Sequence, residues 1–156
     1  MSILAVLAVA VGQSGLLPVK ESAVAEFSMG HFRVVLKTST PHLKPNSLKK
    51  DPRTGDYLID GKWRWGVGSG PPYNHLSSFQ AWWKGKPIKI DPHYRDLYNL
   101  NILGRALNRE TLTLKKVGKN EDLVFRLLGA DGAASYQVTI ALRSDGTSSV
   151  KASTND

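Results

Sequence analysis

Between residues 62 and 89 the chain interleaves aromatic rings with cations: Lys62-Trp63-Arg64-Trp65, then Tyr73 and His75, then Trp82-Trp83-Lys84, with Lys86 and Lys89 close behind. An exposed indole can stack on a base or sugar ring while a neighbouring ammonium or guanidinium meets phosphate or sulfate. All four tryptophans of the chain fall in this stretch. Trp63, Arg64, Trp65, Tyr73, His75, Trp82, Lys84 and Lys86 therefore form the candidate ligand-binding set. Trp82 and Trp83 are adjacent, so on a strand they must point to opposite sides, one toward the core and one away from it. Core packing competes with ligand contact as the use of these rings, because tryptophan is highly buried on average.

Other chemistry is weakly supported, and no catalytic residue is assigned. Gly66-Val67-Gly68-Ser69-Gly70 resembles an anion-cradling loop only superficially. It lacks a Gly-Lys-Ser/Thr ending and a helix start, and Ser69 lacks the spacing of a nucleophile elbow. His31, His42, His75 and His93 sit at no short metal-ligand spacing, and cysteine is absent, so no metal or cofactor is expected. In Asp91-Pro92-His93-Tyr94-Arg95-Asp96 the carboxylates could orient an imidazole for acid–base work, but a capped helix start accounts for the same residues. Asp131 and Asp145 each precede glycine, as turn residues do, and neither has the further oxygen ligands of a calcium loop.

The elements that would carry these groups are mainly strands. Phe32, Val34 and Leu36 alternate with Arg33, Val35 and Lys37, and Tyr136, Val138, Ile140 and Leu142 alternate with Gln137, Thr139, Ala141 and Arg143. Asp60-Gly61 suits a two-residue hairpin turn that needs positive φ. Strands are also expected at 79–84, 88–90, 111–117, 123–128 and 148–152, each bounded by turn residues. Residues 38–55, with three prolines, read as an exposed loop, and 66–72 as a second loop. Asp91 and Pro92 open a short helix near residues 92–99. The fold class is mainly β: one antiparallel sandwich or partial barrel with that single short helix.

At the amino terminus Ile3 to Val11 is apolar, too short to span a bilayer and of the length of a signal-peptide apolar region. Ala23-Val24-Ala25 supplies a small-x-small cleavage pattern. Residues 1–25 are thus expected to be a signal peptide or N-terminal extension and 26–156 a single β-rich domain, exported to the periplasm or beyond, with no membrane span. A strand or helix packing on the core is the competing assignment for the apolar run.

Three segments carry a resemblance: Asp56-Tyr57-Leu58-Ile59-Asp60-Gly61-Lys62, Gly85-Lys86-Pro87-Ile88 through Asp96-Leu97-Tyr98-Asn99, and Gly129-Ala130-Asp131-Gly132-Ala133-Ala134-Ser135-Tyr136. They resemble an uncharacterised family of small bacterial β proteins bearing signal peptides, over roughly residues 30 to 145. The resemblance implies export and a β fold, and it brings no known activity.

Charge narrows the partner. The 156 residues carry a formal +8, but residues 32–119 hold seventeen Lys and Arg against six acids, and residues 120–156 three against five. A basic centre with a mildly acidic tail suits an acidic protein or a polyanion, and equally a merely soluble surface. The expected function is an exported, non-enzymatic binding protein for such a partner. The alternative is a hydrolase or lyase on envelope polysaccharide, with Asp91, His93, Asp96 or Asp56 titrating and tryptophans lining a sugar cleft.

Overall fold

The strictest alternation in the chain, Tyr136 to Arg143, forms a strand whose burial alternates at every residue. The computed structural model describes residues 3–6, 22–102, 111–129 and 135–154. Within these, strands run in the order β1 (Ile3–Val6), β2 (Ala23–Met29), β3 (Phe32–Ser39), β4 (Leu48–Lys50), β5 (Tyr57–Ile59), β6 (His75–Trp83), β7 (Lys86–Pro87), β8 (Leu100–Asn101), β9 (Leu112–Val117), β10 (Asn120–Gly129), β11 (Tyr136–Arg143) and β12 (Ser148–Thr154). One antiparallel sheet has the order β1-β2-β3-β6-β7. A second has β12-β11-β10-β8, with β9 also paired to β10, and β4 and β5 form a small ribbon of their own.

The two large sheets face each other without closing into a barrel, as expected for a sandwich. Phe27, Val34, Leu36, Leu76 and Phe79 of the first meet Leu123, Phe125, Leu127, Val138 and Ile140 of the second in one continuous core. Phe125 is the hub, edge-on to Phe27 at 5.3 Å and to Phe79 at 6.3 Å between ring centroids. Burying each such side chain stabilises the fold by about 1.5–3 kcal/mol.

Several sequence expectations change in detail. Phe32–Ser39 is the third strand of the chain, because Ile3–Val6 and Ala23–Met29 precede it; Leu4 pairs with Glu26 and Val6 with Val24. Ala23-Val24-Ala25 thus lies inside β2, while residues 7–21 lie outside the described residues, as does Asp131. The loop at 38–55 contains β4, which takes β5 as its partner, and the hairpin expected of 56–59 with 62–66 reduces to one Ile59–Lys62 bridge, with Trp65 bridging Leu97 instead. The short helix is a single 3-10 turn, Pro92–Asp96, with Asp91 accepting from the His93 N–H at 3.0 Å. It stops there because Leu97 must turn extended to bridge Trp65, and Tyr98 to bridge His75. No helix among the described residues is long and apolar enough to cross a membrane.

Candidate functional site

β6 decides where the candidate residues go. It is nine residues long, so its ends lie roughly 26 Å apart at about 3.3 Å per residue. His75 begins it and Trp82-Trp83 end it. The aromatic and basic set is therefore divided between the two ends of the sandwich rather than gathered in one place.

At the His75 end the rings serve mainly as packing. Trp63, half-exposed, stands edge-on to Trp65 at 4.8 Å, and Trp65 lies tilted on Tyr136 at 5.7 Å. Arg64 is ion-paired to Asp96. His75 stacks on Tyr98 at 5.9 Å, with its Nδ1 3.0 Å from the Ser39 carbonyl, and burial holds its pKa below the usual value. Gly66 has φ of +80°, and a Cβ there would collide with the Tyr98 carbonyl and the Tyr136 ring. Two buried amides fasten the loop around Tyr73. Asn99 accepts from the Tyr73 N–H at 2.8 Å and donates to the Gly66 carbonyl at 2.8 Å, while Asn74 bonds both backbone groups of Leu100. The Tyr136 hydroxyl donates to the Tyr98 carbonyl at 2.5 Å. These polar contacts engage Arg64, His75, Asn74, Asn99 and Tyr136, while Trp63 and Tyr73 stay exposed.

Of the groups of the enzymatic alternative, Asp91, His93 and Asp96 have partners within the fold. Asp91 holds the His93 ring at 2.7 Å and the Val150 N–H at 3.0 Å. Burial by itself would raise its pKa, but the hydrogen bonds from His93 and Val150 outweigh it and keep the carboxyl below its ordinary value. Asp96 faces Arg64, and Asp56 belongs to the β4–β5 connection. A cleft bounded by Trp65, His93, Asp96 and Val150 encloses about 100 Å³, below the range of small-molecule sites. Among the described residues no three His, Asp or Glu side chains share a metal-sized site.

The other end of the sandwich is built from four tight turns: Gly30-His31, Lys84-Gly85, Gly118-Lys119 and Ser144 to Thr147. Backbone bonds stitch them together, from Lys84 N–H to the His31 carbonyl at 3.0 Å, Ser144 N–H to the Glu121 carbonyl at 2.9 Å and Lys89 N–H to the Gly146 carbonyl at 2.9 Å. Lys84 and Gly85 both take positive φ, +49° and +76°, the geometry of a hairpin turn that matches strand twist.

Glu121 sits at the centre of this end, with its side chain 9% exposed. It occupies an inward position of β10, in phase with Leu123, Phe125 and Leu127. His31 approaches its carboxylate through Nδ1 at 2.8 Å, the Trp83 indole donates at 3.0 Å, and Lys116 stands at 3.3 Å. The His31 hydrogen bond, then that of Trp83, overcome the opposing effect of burial and pull its pKa down to about 2. The carboxylate is thus ionised and fully engaged, a structural anchor joining both sheets.

Around that anchor lies positive charge. Lys84, Lys86, Lys89, Lys115, Lys116, Lys119 and Arg143 belong to these turns and the strand ends beside them, against Glu121, Asp122 and Asp145. Trp83, Lys86, Pro87, Ile88, Ser144, Asp145 and Gly146 bound an open cleft of about 310 Å³. Lys84 Nζ stands 4.6 Å from the Trp83 ring centroid. Trp82 points the opposite way, to the outer face of the first sheet, where Arg33 covers it at 5.0 Å and is itself held by Glu26.

Of the eight residues singled out in the sequence, the structure brings Lys84 and Lys86 to this end. Trp63, Arg64, Trp65, Tyr73 and His75 go to the opposite end, and Trp82 to the outer face. His31, Lys116, Glu121, Ser144 and Asp145 complete the cluster and were not singled out as binding residues. One signal for Glu121 was present: extending the alternation of Leu123, Phe125 and Leu127 back by two residues puts a carboxylate on the buried face. No protein-family model, no curated protein and no solved structure matches this chain.

Proposed function

We propose that the protein is an exported, non-enzymatic binding module for a polyanion, which it engages with the turn-lined end of its sandwich. The observation that carries this is the gathering of seven basic side chains on four turns and the strand ends beside them, next to a cleft of about 310 Å³ bounded by Trp83 and Lys86. With Glu121 engaged by Lys116, six basic side chains remain against Asp122 and Asp145, and such an excess of positive charge attracts phosphates, sulfates or carboxylates at long range.

Export is supported by the apolar run from Ile3 and by the Ala23-Val24-Ala25 pattern. Cleavage after Ala25 would remove β1 and the first three residues of β2. It would leave Glu26 to Met29 in register with Phe32 to Val35, so the strand ends nearest the turn site would remain in place.

Fluorescence titration of the protein with heparin tests the function. A change in tryptophan emission that weakens as salt rises is expected, because screening acts directly on exposed charges. Lys84→Gln/Lys86→Gln should weaken binding by about tenfold, each exposed charge contributing up to ~1 kcal/mol. Absence of any response, or unchanged affinity in that variant, would remove this assignment.

A further inference from the structure

The turn-end cleft has a mixed lining that a simple polyanion site does not need. Lys86 supplies a cation. Asp145, on the facing turn, supplies a carboxylate whose Oδ1 accepts from the Thr147 N–H at 2.8 Å and hydroxyl at 2.6 Å. Those two bonds keep its pKa below the ordinary value, so it stays charged. Ser144 brings a hydroxyl that the Glu121 N–H already approaches at 3.0 Å, leaving its own proton to donate. Trp83, Pro87 and Ile88 supply apolar surface.

A bare phosphate chain meets Lys86 favourably but is repelled by Asp145, and it has no use for an apolar wall. A ligand that satisfies the whole lining must have a negative group, hydroxyls that donate to a carboxylate, and a flat apolar patch within about 310 Å³. An acidic sugar ring has all three. We infer that the cleft between the β6–β7 hairpin and the β11–β12 turn holds an anionic pyranose residue of an acidic glycan, with its charged substituent at Lys86 and its ring hydroxyls at Asp145 and Ser144. Positive charge on the surrounding turns then serves the neighbouring acidic residues of the same chain, while the cleft selects sugar over other polyanions.

This inference rests on the polyanion function proposed above, and the test separates the two. Calorimetric titration of the full chain uses four probes: oligogalacturonate, sulfated dextran oligomers, neutral dextran oligomers, and inorganic polyphosphate of matched charge. At least one acidic sugar oligomer should bind about fivefold or more tighter than polyphosphate, and neutral dextran should be the weakest, since one hydrogen bond to a charged group corresponds to that factor or more. Comparing the uronate with the sulfated probe identifies which anionic group Lys86 takes. Asp145→Asn keeps a carbonyl acceptor for Thr147 but loses the charge. It should weaken the acidic sugar by about fivefold and leave polyphosphate unchanged or tighter. Polyphosphate binding as tightly as both acidic sugars, or Asp145→Asn binding them at wild-type strength, overturns the acidic-sugar inference while leaving the polyanion function standing. Failure of every anionic probe to bind overturns both.

Discussion

Glu121 joins three strands from both sheets through one side chain, and its charge state should govern acid sensitivity. Its folded pKa of about 2 lies below the ordinary glutamate value of 4.5, so the folded state favours the ionised form. The stabilisation is fully present above the unfolded-state pKa and is lost as pH falls through the folded one. Between about pH 5 and pH 2 the melting temperature of the wild type should therefore fall more steeply than that of Glu121→Gln, while at pH 7 the variant should be the less stable of the two. Thermal denaturation followed by circular dichroism across that range checks this, and parallel curves would show that another carboxylate governs the acid limb. Asp145 and Asp91 titrate in the same direction, so the variant should retain a residual slope. The pair Trp82-Trp83 illustrates what a residue-level reading delivers. Opposite orientation follows from strand geometry alone, but their partners, Arg33 for one and Glu121 for the other, depend on contacts distant in sequence.

Turns and strands were the most legible elements, because their determinants are local. Asp60-Gly61 makes the expected two-residue turn, with φ of +51° and +73° and mutual backbone bonds between Ile59 and Lys62, but no strand continues beyond Lys62 to pair with β5. β10 and β11 alternate inward and outward positions along their whole length, and β9 pairs with β10 in a hairpin. What remained hidden is non-local. β4 finds β5 within a proline-rich stretch that has little to bury, and Asn74 and Asn99 become buried staples although nothing near them in sequence distinguishes them from ordinary loop residues. The candidate site suffered similarly: continuity along the chain suggested one aromatic window, and the length of β6 separated its two halves. Glycine gives a measurable contrast between local and non-local demands. At Gly61 a methyl group would meet nothing within 4 Å, so Gly61→Ala should cost only the left-handed backbone penalty, roughly 1 kcal/mol. Gly66 shares that conformation but is also enclosed by Tyr98 and Tyr136. Gly66→Ala should lose about 2–4 kcal/mol, adding overlap to strain. Urea unfolding of both variants reads the difference, and equal losses would mean that the contact around Gly66 is readily relieved.

At the scale of the whole molecule, a single core between two sheets positions the turns, while the cations at their end act together as a field. Lys84, Lys86 and Lys119 make no ion pairs among the described residues, so their charges are available to replace counterions on a bound polyanion. Binding to a polyanion releases condensed counterions in proportion to the phosphates neutralised, and the logarithm of affinity falls linearly with the logarithm of salt. Single-stranded DNA serves as a sequence-tolerant probe of that field, although it lacks the sugar chemistry expected in the cleft. Replacing all three lysines by glutamine should make the slope shallower by about 2, at roughly 0.7 per phosphate contact on a single strand. Replacing Lys44, Lys49 and Lys62, which lie along the β4–β5 region, changes net charge equally, from +8 to +5, but should leave the slope close to that of the wild type. Equal changes in the two triple variants would mean that net charge, rather than the turn-lined end, attracts the polyanion. A change confined to the turn variant would assign the contact to that end, where turns of separate hairpins carry Lys84, Lys86 and Lys119.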